Sequence, residues 1–298
     1  MGNILSLHRD LKSKTYRHGS YHHFRIADPK PRDIHKASVR DRLLHHAIYR
    51  ILYPFFDTTF IADSYSCRIG KGTHKAMNRF QQFAYQVSQN HTRTCWVLKC
   101  DIKKFFANID HEILLSILHK RIPDQDILWL LRQVISSFSS KKNILTFSSM
   151  SGCSKGLPLG NLTSQLLVNV YMNEFDQFVK HTLKAKHYIR YADDFVILHE
   201  SRTYLENILP IIKNTLASNL HLAIHPDKVS IRTIASGIDF LGFVHFPDHR
   251  VLRRVAKRRM LRRLREKEGD EQTKQSYLGL LKHGNTYKLR QGITEFLC

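Results

Sequence analysis

Tyr191-Ala192-Asp193-Asp194 sets two adjacent carboxylates between an apolar run that enters, His187-Tyr188-Ile189-Arg190, and one that leaves, Phe195-Val196-Ile197-Leu198. The pattern reads as a β-hairpin with paired acids at its turn. Adjacent aspartates in apolar flanks repel each other and lose hydration, so the arrangement is costly unless a divalent cation neutralises it. Hard cations such as Mg²⁺ take carboxylate oxygens, and two of them about 3.5–4 Å apart can clamp both the attacking and the leaving oxygen of a phosphoryl transfer. Such a site calls for a second strand-borne acid. Cys95-Trp96-Val97-Leu98-Lys99-Cys100 is a strand-like run that ends in Asp101 and is followed by Ile102-Lys103-Lys104-Phe105-Phe106. A lone Asp-Asp is also a common solvated turn. Two acidic strand ends together favour the metal site.

The chain has 298 residues, 42% of them apolar, enough for one large or two ordinary domains with a core. Its formal charge of +22 is self-repulsive unless phosphates or counterions offset it, which implies a polyanionic partner, nucleic acid before a membrane surface. No apolar stretch approaches the ~18 residues that span a bilayer, and no secretory signal is visible. Met1-Gly2-Asn3-Ile4-Leu5-Ser6 fits the short myristoylation pattern, which chance supplies often. Five cysteines, Cys67, Cys95, Cys100, Cys153 and Cys298, contain no C-x-x-C pair, so neither a disulfide framework nor a zinc knuckle is expected. A cytoplasmic setting fits. The nineteen histidines form no H-E-x-x-H-type set.

Residues 1–27 are basic with little periodicity and read as an arm ordered on contact with RNA. Leu43-Leu44, Ala47-Ile48, Ile51-Leu52 and Phe55-Phe56 recur at helical spacing, predicting an amphipathic helix that ends near Pro54. Another helix is expected over about 75–87. Asp110 suits an N-cap for the stripe Ile113, Leu114, Ile117 and Leu118, and Gly156-Leu157-Pro158-Leu159-Gly160 breaks the chain before a long helix over about 167–179. After the hairpin come a helix around Tyr204–Leu216, then Pro226-Asp227-Lys228, then a strand over 238–244. Strand, helix, helix, hairpin, helix, strand describes an α+β unit of split-βαβ type. Residues 250–267 hold ten Lys or Arg and one Glu beside an apolar stripe, Leu252, Ala256, Met260 and Leu264. Arg253, Arg254, Lys257, Arg258 and Arg262 are therefore candidate phosphate contacts along a duplex, although a short charge run can be a solvated face.

Seven blocks in order make the chain resemble a reverse transcriptase from about Arg32 to the C-terminus. They are Asp41-Arg42, Ser64-Tyr65-Ser66-Cys67-Arg68, Asp101-Ile102-Lys103-Lys104-Phe105-Phe106, Gly156–Gly160, Tyr191–Asp194, Pro226-Asp227-Lys228 and Phe240-Leu241-Gly242-Phe243. The resemblance implies a right-hand polymerase: fingers at 28–100, an RRM-like split-βαβ palm at 101–246 with a fingers-associated insertion at about 123–155, and a short basic helical thumb at 247–298. It implies two Mg²⁺ ions, with Mn²⁺ able to substitute, held by Asp101, Asp193, Asp194 and the backbone of Ile102. Phe106 matches the family's steric gate against a 2′-hydroxyl, though a bare aromatic after a strand also reads as core. Arg40, Arg42 and Arg68, with Arg32 and Lys36, are candidates for the triphosphate, and Lys228 sits where a lysine can protonate the leaving pyrophosphate.

One departure narrows the resemblance. Most reverse transcriptases read Gln-Gly-x-x-x-Ser-Pro before the long helix, whereas this chain reads Leu159-Gly160-Asn161-Leu162-Thr163-Ser164-Gln165. Leu159 first and Gln165 last resemble the enzymes of diversity-generating retroelements. That implies error-prone copying at template adenines, a structured template RNA, a cDNA primer, dNTPs and a small basic accessory protein in a bacterial or phage-infected cell. Retron-type or group II intron-like enzymes are the alternative. A non-catalytic RNA-binding palm would be expected to lose an acid or the gate, and a metal-dependent nuclease would need neither Phe106 nor the glycine block.

Overall fold

The computed structural model describes residues 2–27, 31–140, 154–267 and 270–295. Helix α1 (Gly2–Lys12) leads into an antiparallel hairpin of β1 (His22–Ile26) and β2 (Arg32–Lys36). The expected loose arm is therefore folded, and its boundary at residue 27 cuts a hairpin. Leu7 and Tyr16 are buried, and the Tyr16 hydroxyl donates to Asp41 Oδ1 at 2.8 Å. Isolated apolar anchors whose partners lie far along the chain leave no periodic trace in a basic segment.

In α2 (Val39–Asp57), Ser38 caps the first turn by accepting from the Asp41 amide, and Leu44, Ile48, Leu52 and Phe56 are buried. The helix continues three residues past Pro54, because a proline in the last turn removes only one ladder bond. Next comes α3 (Thr73–Val87), then β3 (Trp96–Asp101), α4 (Phe105–Asn108), α5 (His111–His119), α6 (Gln125–Ser136) and α7 (Leu162–Gln177). Asp110 caps α5 as expected, accepting from the amides of Glu112 and Ile113. Of the expected insertion, 141–153 lie outside the described residues, with Cys153; Cys298 does as well.

β4 (Tyr188–Tyr191) and β5 (Asp194–His199) form the acidic hairpin, and α8 (Arg202–Leu220) leads to β6 (Ser230–Thr233). The sheet order is β4-β5-β3-β6, antiparallel throughout, which is the split βαβ arrangement. Alternate strand residues serve opposite faces. Leu98, Cys100, Phe195 and Ile197 join the core under α5, α7 and α8, while Val97, Val196 and Leu198 pack with Phe80, Phe83 and Ala84 of α3. Burial on both faces explains the unbroken apolar runs beside the acids.

The sequence pattern puts the fourth strand at 238–244, yet β6 fills that place. Its sequence, Ser-Ile-Arg-Thr, is short and polar but for Ile231, as an edge strand can be. Residues 238–245 instead make β7 (Ile238–Phe240) and β8 (Phe243–His245), turned at Leu241-Gly242, with φ of 52° and 90°. Two successive positive φ angles are what a two-residue hairpin turn demands. β9 (Arg250–Leu252) completes this sheet, so the expected palm–thumb boundary at 246–247 falls inside it. Helices α9 (Arg254–Glu266), α10 (Glu271–Leu281) and α11 (Tyr287–Glu295) close around Met260, Leu281 and Ile293 with Phe243 and Leu252. No described helix is long and apolar enough to cross a membrane.

Candidate active site

Two residues, Ala192 and Asp193, turn the β4–β5 hairpin between the paired Tyr191 and Asp194, with Ala192 at a φ of 55°. Asp101, the last residue of β3, is the register partner of Asp194, so both side chains leave the same face at the same end of the sheet. The Ile102 amide donates to the Asp193 carbonyl at 3.1 Å. Asp101 and the adjacent pair Asp193-Asp194, far apart in sequence, thus meet at one corner.

Burial pushes the Asp194 carboxyl up to about 6; Lys99 opposes the rise, the charges of Asp193 and Asp101 add to it, and Lys228 opposes it. Asp193 is raised likewise, by burial and then by Asp101, against Lys228 and Arg32. The corner is short of positive charge. Lys228, ending the 3₁₀ turn Pro226–Lys228, donates from Nζ to Asp101 Oδ1 at 2.8 Å. Among the described residues no three His, Cys, Asp or Glu side chains form a group that would hold a metal ion by themselves. Mg²⁺ is commonly held by one or two carboxylates, with waters and substrate phosphates completing its octahedron, rather than by an all-protein cage. Hard oxygen donors of raised basicity fit that ion.

A buried ion pair props the hairpin. Arg190 Nε donates to both carboxylate oxygens of Asp176, at 2.8 and 3.0 Å, and Nη2 donates to Oδ2 at 2.7 Å. Nη1 reaches the Ala192 carbonyl at 3.2 Å and Asn169 Oδ1 at 3.2 Å, while Nη2 reaches Ser64 Oγ at 3.1 Å. Tyr188 donates to Asp176 Oδ1 at 2.7 Å. The turn that carries Asp193 is thereby tied to α7 and to the Ser64 segment, which is bridged in parallel to β4.

Phe106 lies half-buried on α4, one turn after the acid, and its carbonyl accepts from the Leu157 amide at 2.8 Å. Leu159 is half-buried, and its carbonyl accepts from the His35 amide of β2 at 3.0 Å. The Asn161 side chain donates to the His35 carbonyl at 2.8 Å and accepts from the Ala37 amide at 3.3 Å. Gly160 has a φ of 104°, and a Cβ there would stand 2.9 Å from Ile34 Cγ2. Only glycine lets β2 approach this closely without strain. Gln165 is half-exposed in the first turns of α7.

The basic residues divide. Arg32, at the head of β2, acts on Asp193. Arg68 is spent on the scaffold, with Nε on Asp57 Oδ1 at 2.7 Å and Nη1 on the carbonyls of Ile61 and Ser64. Arg40 is paired with Asp10 at 2.5 Å and lies over the Tyr16 ring. Arg42 keeps a buried Nε with no hydrogen-bond partner among the described residues. On α9, Arg254, Lys257, Arg258 and Arg262 are exposed while Met260 is buried, and Arg253, the N-cap, pairs with Asp239 at 2.9 Å. Sequence reasoning passed over Arg190, Asp176 and Asn161. The one available signal was a charged Arg190 inside an otherwise apolar strand.

The family model for reverse transcriptase (RNA-dependent DNA polymerase) matches residues 27–245. Protein YkfC of Escherichia coli is 26% identical over 73% of this chain and 62% of its own length. The group II intron-encoded protein LtrA of Lactococcus lactis is 26% identical over 59% of this chain and 28% of its own. The chain thus spans less than two thirds of these relatives. Apo telomerase from Candida tropicalis, truncated from its C-terminal domain, superposes with a TM-score of 0.57 at 10% identity, covering 84% of this chain and 60% of that one, a likeness of fold. With the family model covering most of its length, the chain belongs to the reverse transcriptase family.

Proposed function

We propose that this chain is an RNA-directed DNA polymerase that extends a primer with dNTPs along a template RNA. The observation that carries the reading is the pairing of Asp101 with Asp194 beside Asp193, with Lys228 on the Asp101 carboxylate. Asp101, Asp193 and Asp194, with the Ile102 carbonyl, would hold two Mg²⁺ ions or Mn²⁺ in their place, which supply acidification of the primer 3′-hydroxyl and charge neutralisation at the α-phosphate and pyrophosphate. Lys228 is a cation within reach of that chemistry and can give a proton to the departing pyrophosphate. Phe106 lies under the sugar and excludes a 2′-hydroxyl. Arg32 is favoured for the triphosphate, ahead of Arg40, Arg42 and Arg68, whose contacts lie elsewhere or are lacking. The exposed cations Arg254, Lys257, Arg258 and Arg262 line the template–primer backbone, with Arg253 at their edge.

Within that activity we favour error-prone copying at template adenines, as in diversity-generating retroelements. Leu159 removes a side-chain amide from the nascent pair and leaves shape to police it, with Gly160 beside it and Gln165 on the following helix. A structured template RNA and a small basic accessory protein would be its partners. The intron-encoded relatives favour a second reading, a group II intron-type enzyme. Sequencing of cDNA made by the parent and by Leu159→Gln distinguishes them. The retroelement reading expects frequent adenine errors that Leu159→Gln reduces; a uniform, low error rate in both forms supports the intron-type enzyme.

A further inference from the structure

Helix α2 carries two apolar ridges, and the core takes one of them. Its doublets repeat at i, i+4, so neighbouring rows run along its length. Leu44, Ile48, Leu52 and Phe56 are buried. The adjacent row faces outward: Val39 is 75% exposed, Leu43 47%, Ile51 65% and Phe55 47%, with exposed Ala47 among them. At 1.5 Å per residue the row is roughly 24 Å long. Scattered exposed apolar residues are ordinary, but an aligned row of this length marks an interaction surface.

A third row, Arg42, His46 and Arg50, borders the exposed one. Among the described residues none of the three forms an ion pair, and the buried Arg42 Nε has no hydrogen-bond partner. We infer that this face of α2 docks a helix of another protein, one with an apolar i, i+4 row edged by Asp or Glu. Rows of this kind seat in the groove of a facing helix at a crossing angle near −50°. Charge selects the occupant. A second copy would set Arg42, His46 and Arg50 near their own equivalents and bring two +22 chains together. RNA phosphates would satisfy the basic row and leave Val39, Leu43, Ile51 and Phe55 in water. A membrane would want a wider apolar face than one row beside Arg50.

The test titrates the full chain into a labelled synthetic helix carrying a Leu row at i, i+4 with Glu on its flank, followed by fluorescence anisotropy. A scrambled peptide of equal composition is the control. Saturable binding is expected, weakened by about tenfold or more by Leu43→Glu or Ile51→Glu. Arg50→Glu should weaken binding and reduce its dependence on salt. The thermal midpoint and primer extension should stay at parent values in Leu43→Ser and Ile51→Ser, since these side chains face solvent. Four results overturn the inference: no preference for the patterned helix over the scrambled one; a parent dimer that Leu43→Glu turns into monomer; capture by phosphatidylglycerol vesicles or by RNA that Leu43→Glu abolishes; or a thermal midpoint that collapses in the serine variants. Primer extension reports separately on the polymerase reading, so failure of one leaves the other standing.

Discussion

Replacing Asp194 with Asn should make the metal-free protein more stable while damaging its chemistry. Asp194 titrates at about 6 in the folded chain against an ordinary 3.8. A carboxyl whose folded pKa is raised holds its proton more tightly than in the unfolded chain, so its contribution to stability falls as pH rises from about 4 to about 6 and is flat above. The gap of about two pH units corresponds to roughly 3 kcal/mol. Asn carries no charge and should recover up to that amount at pH 7.5. Other acids act in the opposite sense, since hydrogen bonds from Ser38 and Tyr16 hold Asp41 low despite its burial. The difference between variant and parent removes their common background. Urea unfolding followed by Trp96 and Trp129 fluorescence, in EDTA from pH 4 to 8, gives that difference. It should grow between pH 4 and 6 and then level off. Added Mg²⁺ should stabilise the parent more than the variant. An Asp194→Asn protein no more stable than the parent at pH 7.5, or a pH-independent difference, would refute the electrostatic reasoning.

Asp176→Asn leaves the Arg190 guanidinium buried without its charge partner and should cost about 3–5 kcal/mol in urea unfolding; a loss below about 1 kcal/mol would show that the hairpin is held otherwise. Phe106→Ala should raise incorporation of rNTPs relative to dNTPs in single-nucleotide assays, and an unchanged ratio would remove the gate assignment. Lys228→Ala should lower the turnover rate by roughly 10²-fold or more if its proton reaches pyrophosphate, and a change confined to KM would make it a binding residue. Gly160→Ala meets both a φ of 104° and Ile34 Cγ2 at 2.9 Å. It should lower stability by about 1–3 kcal/mol, and a neutral result in thermal unfolding would mean that β2 yields.

The placement of the acids was legible because its pattern is local: apolar strand runs that end in Asp101 and turn at Asp193 put the three carboxyls at one end of the sheet. Helices with a strong 3.6-residue stripe, and the Asp110 cap, were legible for the same reason. What escaped depends on distant partners. β6 is defined by the edge of β3, and Tyr16 by Asp41 across the chain. Phe240-Leu241-Gly242-Phe243 was legible as a block, but an apolar Leu241 at positive φ disguised its turn as strand. Arg68 shows the converse, a residue inside a matched block whose donors serve the scaffold. The doubled apolar rows of α2 were legible as an amphipathic helix, but sequence periodicity reports a face and not what covers it, so it did not separate the buried row from the exposed one.

The most direct measurement is the rate of single-nucleotide extension on an RNA template with a DNA primer, for the parent and for Asp193→Asn, at matched Mg²⁺ and with folding checked by circular dichroism. Convergence of Asp101, Asp193 and Asp194 on divalent ions predicts a loss of roughly a thousandfold, several kcal/mol of transition-state stabilisation. A folded Asp193→Asn protein that extends the primer at the parent rate would contradict it.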